Sequence, residues 1–127
     1  MSMPIKVLLA DDSDVMRRAI RRLLEEHPEI ELVGEASDFG ETVEMTTEFK
    51  PQVIVMDLNM KNDAMTISDV KPHLDGCDAR VVAISFANDE TAQTLANNFG
   101  AVTLLERMEL VDELIPTIKK FAPCGLH

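Results

Sequence analysis

Apolar and polar residues follow one another along the chain in blocks that predict strands and helices in turn. Short continuous apolar runs are typical of strands buried on both faces of a sheet. Between them, apolar residues recur every three to four positions, which is the period of an amphipathic helix. The runs predict five strands, at Ile5–Ala10, Ile30–Ala36, Val53–Met56, Arg80–Ser85 and Ala101–Leu105. The chain is therefore expected to repeat a strand followed by a helix five times.

The predicted helices are identified by apolar stripes and by the residues that end them. Pro28 ends the first helix, Lys50-Pro51 closes the second and Gly100 ends the fourth. Pro116 lies inside the fifth stripe, and the sequence leaves open whether it kinks that helix or interrupts it for one turn. The stripes are Val15/Met16, Ala19/Ile20 and Leu23/Leu24; Phe39, Val43 and Thr46/Thr47; Ile67, Val70 and Leu74; Ala92, Leu95, Ala96 and Phe99; and Leu110/Val111, Leu114/Ile115 and Ile118.

This alternation predicts an α/β fold in which a parallel sheet carries helices on both faces. The 127 residues match the usual size of one domain, so we expect a single domain over 1–127 with a frayed tail at 122–127. In sheets of this class, ligands bind beyond the carboxyl ends of the strands, where the strand order reverses. Polar residues at those ends are therefore the candidates for function.

Composition and charge exclude several classes of protein. Asp and Glu number 23 against 12 Lys and Arg, and the formal net charge of −11 argues against direct binding to nucleic acid or to an anionic membrane. The chain contains neither Trp nor Tyr, which argues against a base-stacking platform. No apolar run approaches the ~20 residues that span a bilayer. Cys77 and Cys124 form no metal-binding pair, so a reduced, cytoplasmic protein is expected.

Several polar residues follow the predicted strands at the same edge of the sheet. Asp11 and Asp12 follow strand one, Asp57 follows strand three, and Ser85 ends strand four. Strand five ends near Glu106-Arg107. Close carboxylates repel one another, and a hard divalent cation such as Mg²⁺ would relieve that repulsion. Any one of these residues could instead serve only to cap a helix, but their joint occurrence predicts a cation site that holds a phosphoryl group.

Motifs in fitting order resemble the receiver domain of bacterial two-component response regulators. They are Leu8-Leu9-Ala10-Asp11-Asp12-Ser13, Val33-Gly34-Glu35-Ala36, Val55-Met56-Asp57-Leu58-Asn59-Met60, Ala83-Ile84-Ser85 and Gly100-Ala101, and they cover nearly the whole chain. The resemblance implies a flavodoxin-like, doubly wound (βα)5 sandwich with strand order 2-1-3-4-5. It also implies phosphorelay signalling, with a sensor histidine kinase or phosphotransfer protein as partner and Mg²⁺ as cofactor.

The same resemblance implies a role for each site residue. Asp57 would accept the phosphoryl group, and Asp12 would bind Mg²⁺ directly while Asp11 binds it through water. Asp57 and the backbone carbonyl of Asn59 would be the other protein ligands of the ion. Ser85 would turn its hydroxyl toward the phosphoryl group. The chain would then catalyse at most its own phosphorylation and dephosphorylation and would otherwise not be an enzyme.

The chain also departs from the pattern of that family. Arg107 stands where the family has Lys, and the following Pro is Met108. Leu104 replaces the usual aromatic residue of strand five, and Phe86 replaces the small residue after Ser85. The loop over 61–65 lacks the family's Pro and Gly. These departures predict slow labelling of Asp57 and a muted conformational response.

Two functions stay open on the sequence alone. The chain is either a phospho-accepting receiver that alters protein association, or a pseudo-receiver that interacts without much phosphorylation-dependent switching. A flavodoxin-like electron carrier and a haloacid-dehalogenase-type phosphatase are rejected, because their phosphate loop and their Asp-x-Asp-Gly-Thr motif are missing.

Two surfaces are candidates for contact with partners. A homodimer could form through the face of helix four, strand five and helix five, whose exposed positions are expected to be Asn97, Asn98, Glu109, Glu113 and Lys120. The arginines at 17, 18, 21 and 22 could form a docking face for an acidic partner. We favour instead a solvated helix face with Arg21–Glu25 and Arg22–Glu26 pairs.

Overall fold

The computed structural model describes residues 3–60, 72–74 and 78–122 of the chain. The strands are β1 (Ile5–Ala10), β2 (Ile30–Ala36), β3 (Val53–Asp57), β4 (Arg80–Ser85) and β5 (Thr103–Glu106). The helices are α1 (Asp14–Glu25), α2 (Phe39–Phe49), α3 (Glu90–Asn98) and α4 (Leu110–Phe121), and a 3-10 turn at Arg107–Glu109 precedes α4. Thus α3 and α4 are the predicted fourth and fifth helices.

The five strands form one parallel sheet in the order β2-β1-β3-β4-β5. This confirms the predicted fold class and the predicted strand order. The order reverses between β1 and β3, where Leu9 pairs with Val55 and Ala10 with Met56. The residues that follow these two strands therefore meet at the edge where an open α/β sheet binds its ligands.

Hydrophobic residues cover both faces of the sheet, because successive side chains of a strand point to opposite sides. On one side, Leu8 and Ile54 pack with buried residues of α2 and α3, including Phe39, and with Phe99, which follows α3. On the other side, a second cluster joins the sheet to α1 and α4. Residues 7–10 of β1 are fully buried, so the continuous apolar run is a central strand, as predicted.

Side-chain caps and backbone conformation fix the ends of the helices. Ser13, Asp38 and Asp89 begin α1, α2 and α3, and each accepts a hydrogen bond from a backbone N–H three residues later. Lys50 ends α2 in the left-handed conformation, at φ 48°, and Gly100 follows α3 at φ 74°. A lysine at such a position is strained relative to a glycine.

The structure corrects the sequence predictions in three places. Val15 and Val111 were expected in apolar stripes, but their exposed fractions are 71% and 77%. Both lie in the first turn of their helices, each beside a residue that is more buried, Met16 or Leu110. β5 spans Thr103–Glu106, so it begins two residues later and ends one residue later than predicted. Val102 instead lies in the loop, where its N–H donates to the Val81 carbonyl at 2.8 Å.

Other predictions are answered only in part. α4 runs through Pro116 without a break, and this residue is exposed. Most of the predicted third helix lies outside the described residues, although 72–74 are helical and Leu74 is buried. The loop over 61–65 and the tail beyond 122 also lie outside them. None of the helices in the part of the chain that the structure describes has the length and apolar character that a bilayer span requires.

Candidate functional site

Three carboxylates meet where β1 and β3 end. Asp11 and Asp12 follow β1, and Asp57 is the last residue of β3. Each contributes one oxygen to a group whose members all lie within 4.8 Å of one another. Asp11 and Asp57 are buried, with 0% and 1% of their surfaces exposed, whereas Asp12 is exposed. The sheet therefore brings together the three acids that the sequence predicts.

The electrostatics of this cluster favour protonation of its buried members. The pKa of Asp57 is raised to about 6, mainly by burial and also by the carboxylates of Asp11 and Asp12, against the opposing effects of the Asn59 N–H and Arg107. Burial also raises the pKa of Asp11. Excess negative charge at this edge is thus only partly balanced by the protein itself.

Asp57 is held by one hydrogen bond to each of its carboxylate oxygens. The backbone N–H of Asn59 donates to Oδ1 at 3.0 Å, and the Nη2 group of Arg107 donates to Oδ2 at 3.2 Å. Arg107 thus forms a partly buried ion pair with Asp57, across 50 positions of sequence. The cation predicted at the end of strand five therefore lies against the predicted acceptor.

Phe86 lies over the guanidinium group of Arg107. The distance from Cζ of Arg107 to the centre of the Phe86 ring is 4.0 Å, which is within the range of a cation–π contact. The Phe86 ring is 69% exposed, while the Arg107 side chain is only 18% exposed. The Nε atom of Arg107 is buried and has no hydrogen-bond partner. Sequence reasoning identified both residues separately but missed this contact.

Ser85 and Glu106 end the two neighbouring strands. Ser85 is buried at the end of β4, one residue beyond Ile84, which pairs with Asp57 in the sheet. The carboxylate of Glu106 accepts a hydrogen bond from the Asn88 N–H at 3.1 Å. It also takes part in a capping box with Glu109 at the 3-10 turn. Glu106 thus links the loops that follow β4 and β5.

Arg17 supports the site from α1, which the sequence did not predict. Its Nη1 group donates to the Asp11 carbonyl at 2.5 Å, and its other nitrogens pair with Asp14 and Glu35. Arg21 also pairs with Glu35, at 2.8 Å, so its partner lies on β2 and is not the predicted Glu25. These two arginines tie α1 to the ends of β1 and β2.

The donor set at this edge fits a hard divalent cation such as Mg²⁺. Oxygen atoms from carboxylates and backbone carbonyls are the ligands that Mg²⁺ prefers. The Oδ2 atom of Asp11 is buried and has no hydrogen-bond partner within the described chain, so it is available as a ligand or as an acceptor of a bound water. The raised pKa values of Asp11 and Asp57 are a second sign that positive charge is needed here.

Comparisons with known proteins agree with this geometry. The response regulator receiver domain family matches residues 7–119. A protein-glutamate methylesterase/protein-glutamine glutaminase of Syntrophomonas wolfei is 37% identical over 107 residues, covering 84% of this chain and 27% of that protein. The transcriptional regulatory protein DegU of Brevibacillus brevis is 30% identical over 125 residues, covering 97% of this chain and 52% of the regulator.

Solved structures give the same result for the fold. The crystal structure of the response regulator domain of Thermotoga maritima CheB has a TM-score of 0.81 and 29% identity, and the match covers 93% of this chain and 96% of that domain. The chain spans about a quarter of the methylesterase and about half of DegU. The activities in their names therefore belong to those longer proteins. These similarities do not favour the pseudo-receiver alternative. The chain belongs to the receiver domain family of two-component response regulators.

Proposed function

We propose that this chain accepts a phosphoryl group on Asp57 and passes the signal on by changing its association with other proteins. The observation that carries the proposal is the position of Asp57. This buried carboxylate ends β3, lies within 4.8 Å of two further carboxylates, and contacts a cationic side chain. Purely structural acids are seldom buried in groups without full charge compensation.

The chemical step is the transfer of a phosphoryl group from a phosphohistidine of a partner. A carboxylate oxygen of Asp57 attacks phosphorus, a new O–P bond forms, and the P–N bond to the histidine breaks with its electron pair passing to the nitrogen. Arg107 donates to Oδ2 before the transfer, so its guanidinium group is already at the place where charge on the transferred oxygens must be balanced. The hydroxyl of Ser85, at the end of the adjacent strand, would donate to the same group.

Mg²⁺ would be held by Asp11, Asp12, Asp57 and the backbone carbonyl of Asn59. When bound, the ion supplies positive charge that offsets the carboxylates and the phosphoryl oxygens. The N–H of Asn59 is already committed to Asp57, which orients the peptide groups of this turn. Arg17 fixes the backbone at Asp11 through its hydrogen bond to the carbonyl of that residue.

The phosphoryl donor would be a sensor histidine kinase or a phosphotransfer protein, in keeping with the family. For the output, we propose a homodimer or a partner complex through α3, β5 and α4. The positions that the sequence predicts as exposed on this face are all exposed, namely Asn97, Asn98, Glu109, Glu113 and Lys120. Such mixed charges can pair reciprocally across a two-fold axis.

The response to phosphorylation is proposed to be muted. Arg107 pairs with Asp57 before phosphorylation and has donors left for phosphoryl oxygens afterwards. A group that binds both states similarly contributes little differential free energy and shifts the equilibrium little. Leu104 also has no phenol group that could exchange between exposed and buried positions.

Intact-mass measurement tests the proposed acceptor. The protein is incubated with Mg²⁺ and acetyl phosphate or phosphoramidate, and we expect the mass of one phosphoryl group to be added. Asp57→Asn should abolish the labelling. Asp89→Asn is the control: it makes the same change of side chain at the residue that caps α3, and it should leave the labelling unchanged. Labelling of Asp57→Asn at the parental rate would contradict the assignment. Absence of labelling in the parent would refute the proposed function.

A further inference from the structure

The packing of the hydrophobic core does not account for the contact between Phe86 and Arg107. Phe86 is the first residue after β4, and 69% of its surface remains exposed. A large apolar side chain in such a position contributes little to the hydrophobic core. Its ring nevertheless lies 4.0 Å from Cζ of Arg107, on a side chain that reaches Asp57. The contact thus joins a surface residue to the centre of the site.

Two contacts fix the guanidinium group of Arg107. The Phe86 ring packs over the group, and the carboxylate of Asp57 accepts from Nη2 at 3.2 Å. Arginine is a long side chain with several rotatable bonds, so an arginine without such contacts samples many orientations. The ring contact and the hydrogen bond to Asp57 together restrict the guanidinium group of Arg107.

The guanidinium group keeps an unused donor in the buried site. Its Nε atom is buried and has no hydrogen-bond partner, although a buried polar group without a partner is costly. A phosphoryl group on Asp57 would bring three oxygen acceptors next to Arg107, whose Nη2 group already contacts Asp57. The Phe86 contact therefore holds a donor group in place before its acceptor arrives.

We propose that Phe86 is a positioning residue for phosphoryl transfer, which acts by holding the Arg107 guanidinium group against Asp57. This inference rests on the proposed function of Asp57. Donors that are fixed before the reaction stabilise charge without the cost of reorganisation. The alternative is that the ring only obstructs access to Asp57, and the two interpretations predict opposite effects when the ring is removed.

The test compares labelling of the parent with that of Phe86→Ala, Phe86→Leu and Phe86→Tyr, with acetyl phosphate and Mg²⁺. Loss of the aromatic face should slow labelling about threefold to tenfold, in line with the strength of a partly exposed cation–π contact. Phe86→Leu should be slowed like Phe86→Ala, because it keeps bulk but lacks the aromatic face. Phe86→Tyr should retain the parental rate. Affinity for beryllofluoride should follow the same order.

A double-mutant cycle identifies Arg107 as the residue through which Phe86 acts. In an Arg107→Ala background, Phe86→Ala should change the labelling rate by less than about twofold, because no guanidinium group is left to position. In the unliganded parent, the NMR signal of the Arg107 Nε–H should be shifted by the ring and should move when the ring is removed. Mg²⁺ affinity should be equal in all Phe86 variants.

Several outcomes would overturn the proposal. Faster labelling of Phe86→Ala would show that the ring is an obstacle. An equal rate, or an equal effect of Phe86→Ala with and without Arg107, would show that the ring does not act through the guanidinium group. These results leave the proposed function intact, because the parent is labelled on Asp57. An unlabelled parent would instead refute the proposed function and this inference together.

Discussion

Replacing Asp57 with Asn should stabilise the metal-free protein. The substitution keeps the shape of the side chain and the acceptor for the Asn59 N–H, but removes a charge that is 1% exposed. Burial and two neighbouring carboxylates raise the pKa of Asp57 from 3.8 to about 6. The ionised form is therefore less stable in the folded chain than in the unfolded chain.

The size of this effect follows from the two pKa values. A difference of about 2 units corresponds to about 3 kcal/mol of the free energy of unfolding at pH 7, since each unit is worth about 1.36 kcal/mol. Asn also deprives Arg107 of its charged partner, which offsets part of the gain. We expect a net increase of about 1–3 kcal/mol.

The pH dependence has a defined sign. Between pH 4 and pH 6 the folded parent binds more protons than the unfolded parent, so its stability falls as the pH rises through this range. The advantage of Asp57→Asn should be full above about pH 7, about half as large at pH 5, and about a fifth as large at pH 4.

Urea denaturation in the presence of a chelator measures these differences. Far-UV circular dichroism is the suitable signal, because the chain has no Trp or Tyr for fluorescence. Asp89→Asn is the matched control, since Asn also accepts the hydrogen bond that Asp89 receives from the Ala92 N–H, and we expect a change below about 0.5 kcal/mol. No gain in stability of Asp57→Asn over the parent at pH 7, or an advantage at pH 4 as large as that at pH 7, would refute the expected stabilisation.

Three further predictions concern the metal, the cation and a helix end. Mg²⁺ should raise the thermal midpoint of the parent with concentration but should have little effect on Asp12→Ala, and an equal shift in both would contradict the assigned ligands. Arg107→Lys should label faster and should spread beryllofluoride-induced amide shifts over β5 and α4, whereas wide shifts already present in the parent would disprove the muted response. Lys50→Gly should stabilise the protein by about 1 kcal/mol, because Lys50 ends α2 at φ 48°, while Arg18→Gly inside α1 should destabilise it by a similar amount.

The sequence predicts most of the fold because local patterns agree with the tertiary structure. The bounds predicted for β1, β2 and β4 are those of the structure. The prediction for β5 is wrong at both ends. It begins too early because the Ala101 N–H is used at the end of α3, on the Ala96 carbonyl, and it ends too early because Glu106 still pairs with Ser85 in the sheet. Apolar periodicity likewise fails at Val15 and Val111, since these first-turn positions face solvent while the adjacent Met16 and Leu110 are more buried.

The sequence also predicts which acids meet, but not how the site is held together. Asp11, Asp12 and Asp57 follow adjacent parallel strands, so topology alone brings them close. The contacts of Arg17 with Asp11 and of Phe86 with Arg107 depend on side-chain rotamers and on the paths of loops. Such contacts leave no periodic signal in the sequence.

The alternation of side chains along β1 restricts the lengths that this chain can adopt. Leu8 and Leu9 are adjacent in sequence but contribute to hydrophobic clusters on opposite sides of the sheet. A single-residue insertion before them would turn the side chains of the preceding half of β1 to the opposite face of the sheet. An insertion after them would move Asp11 away from the sheet edge where the three carboxylates meet. Insertions in the loops carry no such penalty. Changes of length within β1 should therefore be absent from homologous chains, and the distance from the first buried residue of β1 to the acidic pair should be constant.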